Sequence, residues 1–179
     1  EMSFIEQNDI LALTERFIAR AWKEILDIDV ATPFRRMPFA EALERFGSDK
    51  PDLRYGLELV NVTDIAGSTG FGVFTDAVAG GGVVMALNAT GCGAFSRKQI
   101  DELTEHAKKY GAKGLPWLKV AADGVSGSFI KTLSDADRDK LVAALGASEG
   151  DLLLFVPGEW ERACIIAGAL RTEVARRTG

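Results

Sequence analysis

A chain of 179 residues is long enough to bury one sizeable hydrophobic core, or one domain with flanking segments. Its net charge of −5 at pH 7 argues against a dedicated nucleic-acid-binding module, because phosphate neutralisation requires clustered lysine and arginine. No apolar run is long enough to span a bilayer, and the acidic start EMSFIEQND lacks the basic and apolar regions of a secretory signal. A cytoplasmic location is therefore expected.

The first part of the sequence predicts two helices. Asn8 or Asp9 can cap the first helix, which is expected to run to about Leu26 with a wide apolar stripe along one face. Pro38 opens the second helix, which ends at Gly47. Because so wide a stripe requires a large partner surface, the first sixty or so residues are expected to expose apolar side chains, pack against the rest of the chain, or pair with another molecule.

The next stretch predicts extended structure around glycine-rich connections. Residues 57–65 alternate between apolar and polar types, which favours a strand or an extended segment. The sequence GSTG at 67–70 predicts a flexible joint, and we place a domain boundary between Ala66 and Gly67. The runs 71–78 and 83–88 flank three glycines and predict a β-hairpin.

A helix followed by a strand is predicted over residues 94–120. Ser96 precedes Gln99 by three positions, which is the spacing of a capping box, and apolar residues then recur at helical intervals. Gly111 is expected to end the helix in a left-handed conformation, and residues 115–120 are predicted to form a strand.

The remaining sequence predicts a short strand at 128–132, a helix at 136–145 capped by Ser134, a buried strand at 151–156 and a final helix at 159–177. These elements together predict an α+β fold. We expect a two-layer sandwich in which a mainly antiparallel sheet carries helices on one face, preceded by the N-terminal helices.

Few residues offer chemistry. His106 is the only histidine, and Cys92 and Cys164 are far apart, which excludes a histidine triad, a histidine-paired metal site and a CxxC motif within the sequence. No catalytic residue and no metal ligand is predicted. The glycines around Cys92 before the Ser96 helix are a candidate phosphate or tRNA-backbone contact, although we favour a tight turn as their explanation.

Basic side chains on the helix-to-strand unit are the candidate RNA contacts. Residues 97–113 hold five basic and three acidic residues, so binding through them would be weak and sensitive to salt. The candidates are Arg97, Lys98, Lys108, Lys109, Lys113 and Lys119. A second polar cluster, formed by Asp49, Lys50, Asp52 and Arg54, is expected to be an interdomain loop. It either lies near the tRNA end or is simply salt-bridged, and we favour the salt-bridged loop.

Three stretches resemble bacterial-type aspartyl-tRNA synthetases of class II. SRKQIDELTEHAKKYGAKGLPWLKV, at 96–120, is similar to the GAD insertion that lies between motifs 2 and 3 of these enzymes. GSDKPDLRYGLELVNVTDI, at 47–65, resembles the segment leading into that insertion, and EMSF at 1–4 resembles the residues just after motif 2. The stretches occur in the family's order and the resemblance covers nearly the whole chain.

This resemblance implies an internal fragment of a larger enzyme. Residues 1–66 would belong to a partial catalytic domain, whose helices pack on the catalytic sheet in the family, and residues 67–179 to the GAD insertion with a C-terminal helix. The implied parent is a homodimer that activates aspartate with ATP and Mg²⁺ as aspartyl-adenylate and transfers it to tRNA. Because motifs 2 and 3 are absent from this sequence, the fragment is expected to be inactive alone and to need no cofactor of its own.

Several roles for the insertion stay open at this point. It can help to seat the acceptor end of tRNA, or it can support the catalytic domain as a structural module without contacting RNA. A related domain in an archaeal tRNA-dependent amidotransferase subunit, and an independent small enzyme or regulator, are further alternatives. Whether the parent charges only aspartate tRNA or also asparagine tRNA is equally open.

Overall fold

The computed structural model describes residues 2–179, so Glu1, the first residue of the EMSF resemblance, lies outside the described residues. The chain forms two compact units, one ending at Met37 and the other running from Pro38 to Gly179. The boundary that we predicted after Ala66 stays a prediction.

The N-terminal unit is built around helix α1, Gln7–Leu26. The helix is capped by Glu6 rather than by Asn8 or Asp9, because the Asp9 carboxylate accepts a hydrogen bond from the Glu6 backbone N–H at 2.9 Å. Large apolar side chains of α1 point into solvent, and those of Phe17 and Ile25 are 71% and 78% exposed. Exposure of apolar side chains, one of the three expected outcomes, is therefore observed for α1.

The second unit contains a five-stranded antiparallel sheet in the order β1-β2-β5-β3-β4. Its central strands, β2 and β5, are aligned so that Met85 lies opposite Val156 and Leu87 lies opposite Leu154. This sheet confirms the α+β fold with mainly antiparallel strands. The strands are β1 Leu59–Asn61, β2 Val83–Ala89, β3 Trp117–Ala121, β4 Gly124–Gly127 and β5 Leu152–Gly158.

Helices cover both faces of this sheet, whereas we expected a two-layer arrangement with helices on one face. Met85, Leu87 and Leu154 face a core formed with the longer helices, whereas Ala86 and Phe155 face a second core on the opposite side. Because β2 and β5 are continuous apolar runs rather than alternating ones, both of their faces need cover. The first layer holds α2 Phe39–Phe46, α5 Arg97–Lys109 and α7 Trp160–Thr178, and the second layer holds α3 Thr63–Ala66, α4 Gly72–Ala79 and α6 Asp135–Ala144.

The predicted hairpin over 71–88 is wrong in its first half, where α4 forms instead of a strand. Phe74 is fully buried and its ring meets those of Phe71 and Phe129 at 4.9 and 5.0 Å, so aromatic packing overrides the β propensity of this stretch. The strand predicted at 128–132 is likewise absent, because Phe129 is buried and Ile130–Thr132 forms a 3₁₀ turn.

Residues 67–70 form a packed turn rather than a flexible joint. Thr69 is only 4% exposed and its hydroxyl donates to the Ala66 carbonyl at 2.7 Å. The Gly70 N–H donates to the Thr132 carbonyl at 3.2 Å, which ties this turn to the residues before α6. The glycines here allow close approach of two backbone segments rather than flexibility.

Candidate nucleic-acid interface

Helix α5 carries most of the predicted RNA contacts, and its local structure follows the sequence. The Gln99 N–H donates to the Ser96 hydroxyl at 3.3 Å, and the Ser96 N–H donates to the Gln99 side chain at 2.8 Å, which confirms the capping box. Ile100, Leu103 and Ala107 are buried, so the polar face of α5 is turned to solvent.

A shallow groove of about 720 Å³ lies along α5 and the end of α7. Its lining carries nearly balanced charge, with cations and carboxylates interleaved along both helices. The cations are Arg97, Lys98, Lys109 and Arg177, the carboxylates are Asp101, Glu102, Glu105 and Glu173, and the remaining residue is His106. This groove therefore lacks the strong positive potential of a dedicated nucleic-acid site.

Ion pairs along the chain engage several of these cations. Arg97 pairs with Asp101 at 3.0 Å, and Lys108 pairs with Glu105 at 2.7 Å. Arg177 bridges Glu102 and Glu173 at 3.1 and 2.8 Å. The pairs at Arg97 and Lys108 are exposed, so they contribute little to stability, but they lower the net charge that a phosphate would meet.

The other predicted contacts separate into two groups. Lys119 is partly buried and its ammonium donates to the Phe95 carbonyl, which ties β3 to the loop before α5. Lys98, Lys109 and Lys113 are exposed and have no side-chain partner among the described residues. The structure brings Lys98 and Lys109 to the α5 groove and places Lys113 elsewhere.

Lys113 lines a second cavity of about 790 Å³ between α4, the loop at 111–116 and the start of α7. Arg162 lies on the same wall, close above Gly111, whose φ of +100° provides the turn that follows α5. Asp76 lies among the polar residues of the lining, and most of the rest is apolar. This cavity joins apolar surface with two cations and with the carboxylates of Asp76 and Glu159, a combination that the sequence alone did not indicate.

The phosphate contact predicted at residues 91–93 is already occupied by the chain itself. The Gly91 N–H donates to the Asp151 carboxylate at 2.8 Å, and the Gly93 N–H donates to the Gly150 carbonyl at 2.7 Å. Asp151 is 4% exposed and also accepts from the Ser148 N–H and the Asn88 amide at 2.9 and 3.1 Å. Burial acts to raise the pKa of Asp151, but these hydrogen bonds outweigh it and hold the pKa below its ordinary value.

The polar loop at 49–54 is salt-bridged within itself. Arg54 donates to the Asp52 carboxylate at 2.5 Å, and this hydrogen-bonded pair lowers the pKa of Asp52 to about 2. Asp49 and Lys50 are exposed at the start of the loop and join no ion pair among the described residues. The Asp52 backbone carbonyl accepts a hydrogen bond from Arg171, a residue that our sequence analysis did not single out.

Other chemistry is not evident in the part of the chain that the structure describes. Cys92 and Cys164 are buried and unpaired, and burial raises the pKa of both thiols, that of Cys164 to about 11. The described residues contain no group of His, Cys, Asp and Glu side chains that could hold a metal ion. None of the helices within residues 2–179 is both long and apolar enough to cross a membrane.

These features thus define a class of protein: an antiparallel α+β domain with a charged groove between solvent-facing helices. The sequence model of the GAD domain matches residues 74–167, and the chain belongs to this family. The GAD part of the resemblance, carried by residues 96–120, is thereby confirmed.

Similarity to known proteins extends well beyond the GAD domain. The chain is 49% identical over 180 residues to the aspartate–tRNA(Asp/Asn) ligase of Symbiobacterium thermophilum, covering 100% of the chain. It is 48% identical over 178 residues to the aspartate–tRNA ligase of Ruminiclostridium cellulolyticum and 45% identical over 177 residues to the aspartate–tRNA(Asp/Asn) ligase of Moorella thermoacetica. The chain spans about 30% of the length of each of these relatives.

Proposed function

We propose that this chain is the GAD-containing part of an aspartate–tRNA ligase. The observation that carries the proposal is identity of 45% to 49% over at least 99% of the chain to proteins with that name. The whole enzyme would join L-aspartate to tRNA through aspartyl-adenylate, using ATP and Mg²⁺, as a cytoplasmic homodimer.

Within that enzyme, we propose that the α5 groove helps to position the acceptor end of tRNA. Support comes from Lys98 and Lys109, two exposed cations in the groove without a side-chain partner among the described residues, and from Lys113, which follows the end of α5. Only these three of the six predicted contacts are free to neutralise phosphates without first breaking an ion pair or a hydrogen bond. The contact is therefore expected to be weak.

A structural role without RNA contact is the second candidate. The observation that favours it is the apolar face of α1, where the side chains of Phe17 and Ile25 are 71% and 78% exposed. An exposed stripe of this kind marks an interaction surface, and in the proposed enzyme it would pack against the catalytic domain. This role requires protein contacts only and predicts no affinity for RNA.

A binding titration separates the two candidates. We would titrate the chain with aspartate tRNA and with an unrelated tRNA, at low and at physiological salt, for the native chain and for the triple variant Lys98→Ala/Lys109→Ala/Lys113→Ala. The matched control is Lys131→Ala/Lys140→Ala, which removes two exposed lysines from the α6 side of the sheet. Saturable binding that weakens with salt and is lost only in the triple variant supports the RNA role, and its absence at low salt favours the structural one.

Catalytic dependence on the rest of the enzyme is tested separately. The chain alone is expected to show no aspartate-dependent exchange of pyrophosphate into ATP. Exchange above that of a heat-denatured sample would contradict the proposal that this part of the enzyme is inactive by itself.

A further inference from the structure

Arg171, in the middle of α7, is a buried cation that has no carboxylate within ion-pair distance among the described residues, although the more distant Asp52 carboxylate interacts with its charge. Its side chain is 2% exposed, and no ion pair involving it occurs within residues 2–179. The guanidinium lies between two aromatic rings, with its central carbon 4.4 Å from the Tyr55 ring centre and 5.0 Å from the Phe46 ring centre. Because a buried charge is costly unless it is compensated, this position needs an explanation.

Backbone carbonyls from a single loop supply that compensation. Nε donates to the Leu57 carbonyl at 2.9 Å, and Nη2 contacts the carbonyls of Asp52, Tyr55 and Gly56 at 2.7, 3.2 and 3.1 Å. Since Nη2 carries two hydrogens for three oxygens, at least one hydrogen is shared. The loop at 52–57 is thus wrapped around one side chain that lies more than a hundred positions later in the sequence.

The same loop holds a backbone conformation that it would not adopt unaided. Leu57 has a φ of +63°, in the left-handed region that is unfavourable for a residue with a branched side chain. Its carbonyl accepts the Nε hydrogen bond of Arg171, and its side chain packs against the core below α7. A strained residue of this kind persists only where its surroundings hold it in place.

We infer that Arg171 is a positioning residue that holds the segment 52–57 in one preformed conformation. Arg171 thereby connects the segment that precedes the GAD match at 74–167 to helix α7, which extends past the end of that match. Gly47 and Gly168, whose backbones are in close contact, form a second brace between the same two segments. The inference goes beyond the proposed function and requires neither RNA nor catalysis.

Lysine cannot replace arginine in this position, although it keeps the charge. Its single nitrogen cannot reach the carbonyls of Leu57 and Asp52 together, and it lacks the flat group that lies between two rings. The substitution Arg171→Lys therefore separates the geometric role from a need for positive charge. A matched control is Arg162→Lys, on an exposed arginine of the same helix.

Limited trypsin digestion, followed by mass spectrometry, measures the conformation of the segment directly. The bond after Arg54 lies inside the loop, and in Arg171→Lys we expect its cleavage to accelerate at least about tenfold, with no change in Arg162→Lys. Amide hydrogen exchange serves as the control for global stability, and the central strands β2 and β5 should stay protected in Arg171→Lys.

Two results would overturn the inference. One is cleavage after Arg54 in Arg171→Lys at the native rate. The other is equal acceleration at every site, with β2 and β5 losing protection as well, because Arg171 would then support global stability rather than the loop. Should Arg171→Lys fail to fold, Tyr55→Leu keeps the arginine but removes one ring, and it should open the loop by a smaller factor. An unchanged rate in that variant also overturns the inference.

Discussion

Replacement of Gly168 by alanine is expected to destabilise the protein, although alanine is normally the better helix residue. Gly168 lies inside α7, and an ideal Cβ at this position would lie 2.6 Å from the Gly47 carbonyl oxygen and 2.7 Å from the Gly47 Cα. These are backbone atoms, which cannot rotate away as the end of a side chain can. Gly47 itself has a φ of +68° at the end of α2, so its backbone conformation is also fixed.

Two opposing terms decide the size of the effect. Alanine in place of glycine inside a helix stabilises by about 1 kcal/mol through backbone entropy. Overpacking typically costs about 1–3 kcal/mol and is greatest where rigid atoms are met. Because both contacts are with rigid backbone atoms, the upper part of that range, about 2–3 kcal/mol, applies here. We therefore expect Gly168→Ala to lower the free energy of unfolding by roughly 1–2 kcal/mol, and the melting temperature by about 2–4 °C for each kcal/mol.

The assay is urea unfolding at 25 °C, with thermal unfolding as a second measure, and the control is Gly72→Ala. Gly72 is the first residue of α4 and an added Cβ there would meet nothing within 4 Å, so this control should be as stable as the native chain or slightly more stable. A Gly168→Ala variant that gains stability with an unchanged m-value would refute the reasoning, because helix propensity would then outweigh the contact with Gly47.

Three further outcomes are expected. Asp151→Asn removes the charge from a buried hydrogen-bonded group and should cost about 1.5–3 kcal/mol of stability at pH 7, measured by urea unfolding. The pKa of Asp151 is lower in the folded than in the unfolded state, so its carboxylate stabilises the fold above the unfolded pKa. This stability is lost as the pH falls through the folded pKa. The variant should therefore lose less stability in acid than the native chain. Ser96→Ala removes the cap of α5 and should cost about 1 kcal/mol, detectable as a lower urea midpoint. Because burial raises the pKa of Cys164 to about 11, its reaction with an aromatic disulfide reagent at pH 8 should be slow in the native chain and fast in urea.

The sequence predicted well those features of the fold that depend on residues close together in the chain. The capping box at Ser96 and Gln99, the buried face of α5 and the glycine after it depend on residues within a few positions of one another. The α+β antiparallel class followed from the same kind of pattern. In contrast, the strand predicted at 71–78 is a helix because Phe74 packs against Phe129, a contact across more than fifty positions.

The groups that determine local geometry were missed for the same reason. In the sequence, Arg171 looks like an ordinary arginine on one face of a helix, because its hydrogen-bond partners lie 114 to 119 positions earlier. Asp151 reads as the polar start of a buried strand, yet it receives the Gly91 N–H from 60 positions away. The available signal was a charged residue next to apolar ones, and such a signal does not identify a partner.

The balance of charge on α5 limits how the proposed RNA contact can operate. With three unpaired lysines, counterion release predicts a salt slope of at most about −2 for single strands and about −3 for duplex RNA treated like duplex DNA. Contacts that weak do not hold tRNA by themselves at physiological salt. Within a longer enzyme that binds tRNA elsewhere, the tethered groove would meet the bound tRNA at a local concentration of the order of millimolar, where weak contacts suffice to orient it. The low net charge of the groove is therefore compatible with a positioning role only as part of the larger protein, and a slope much steeper than about −3 for the isolated chain would require cations other than Lys98, Lys109 and Lys113.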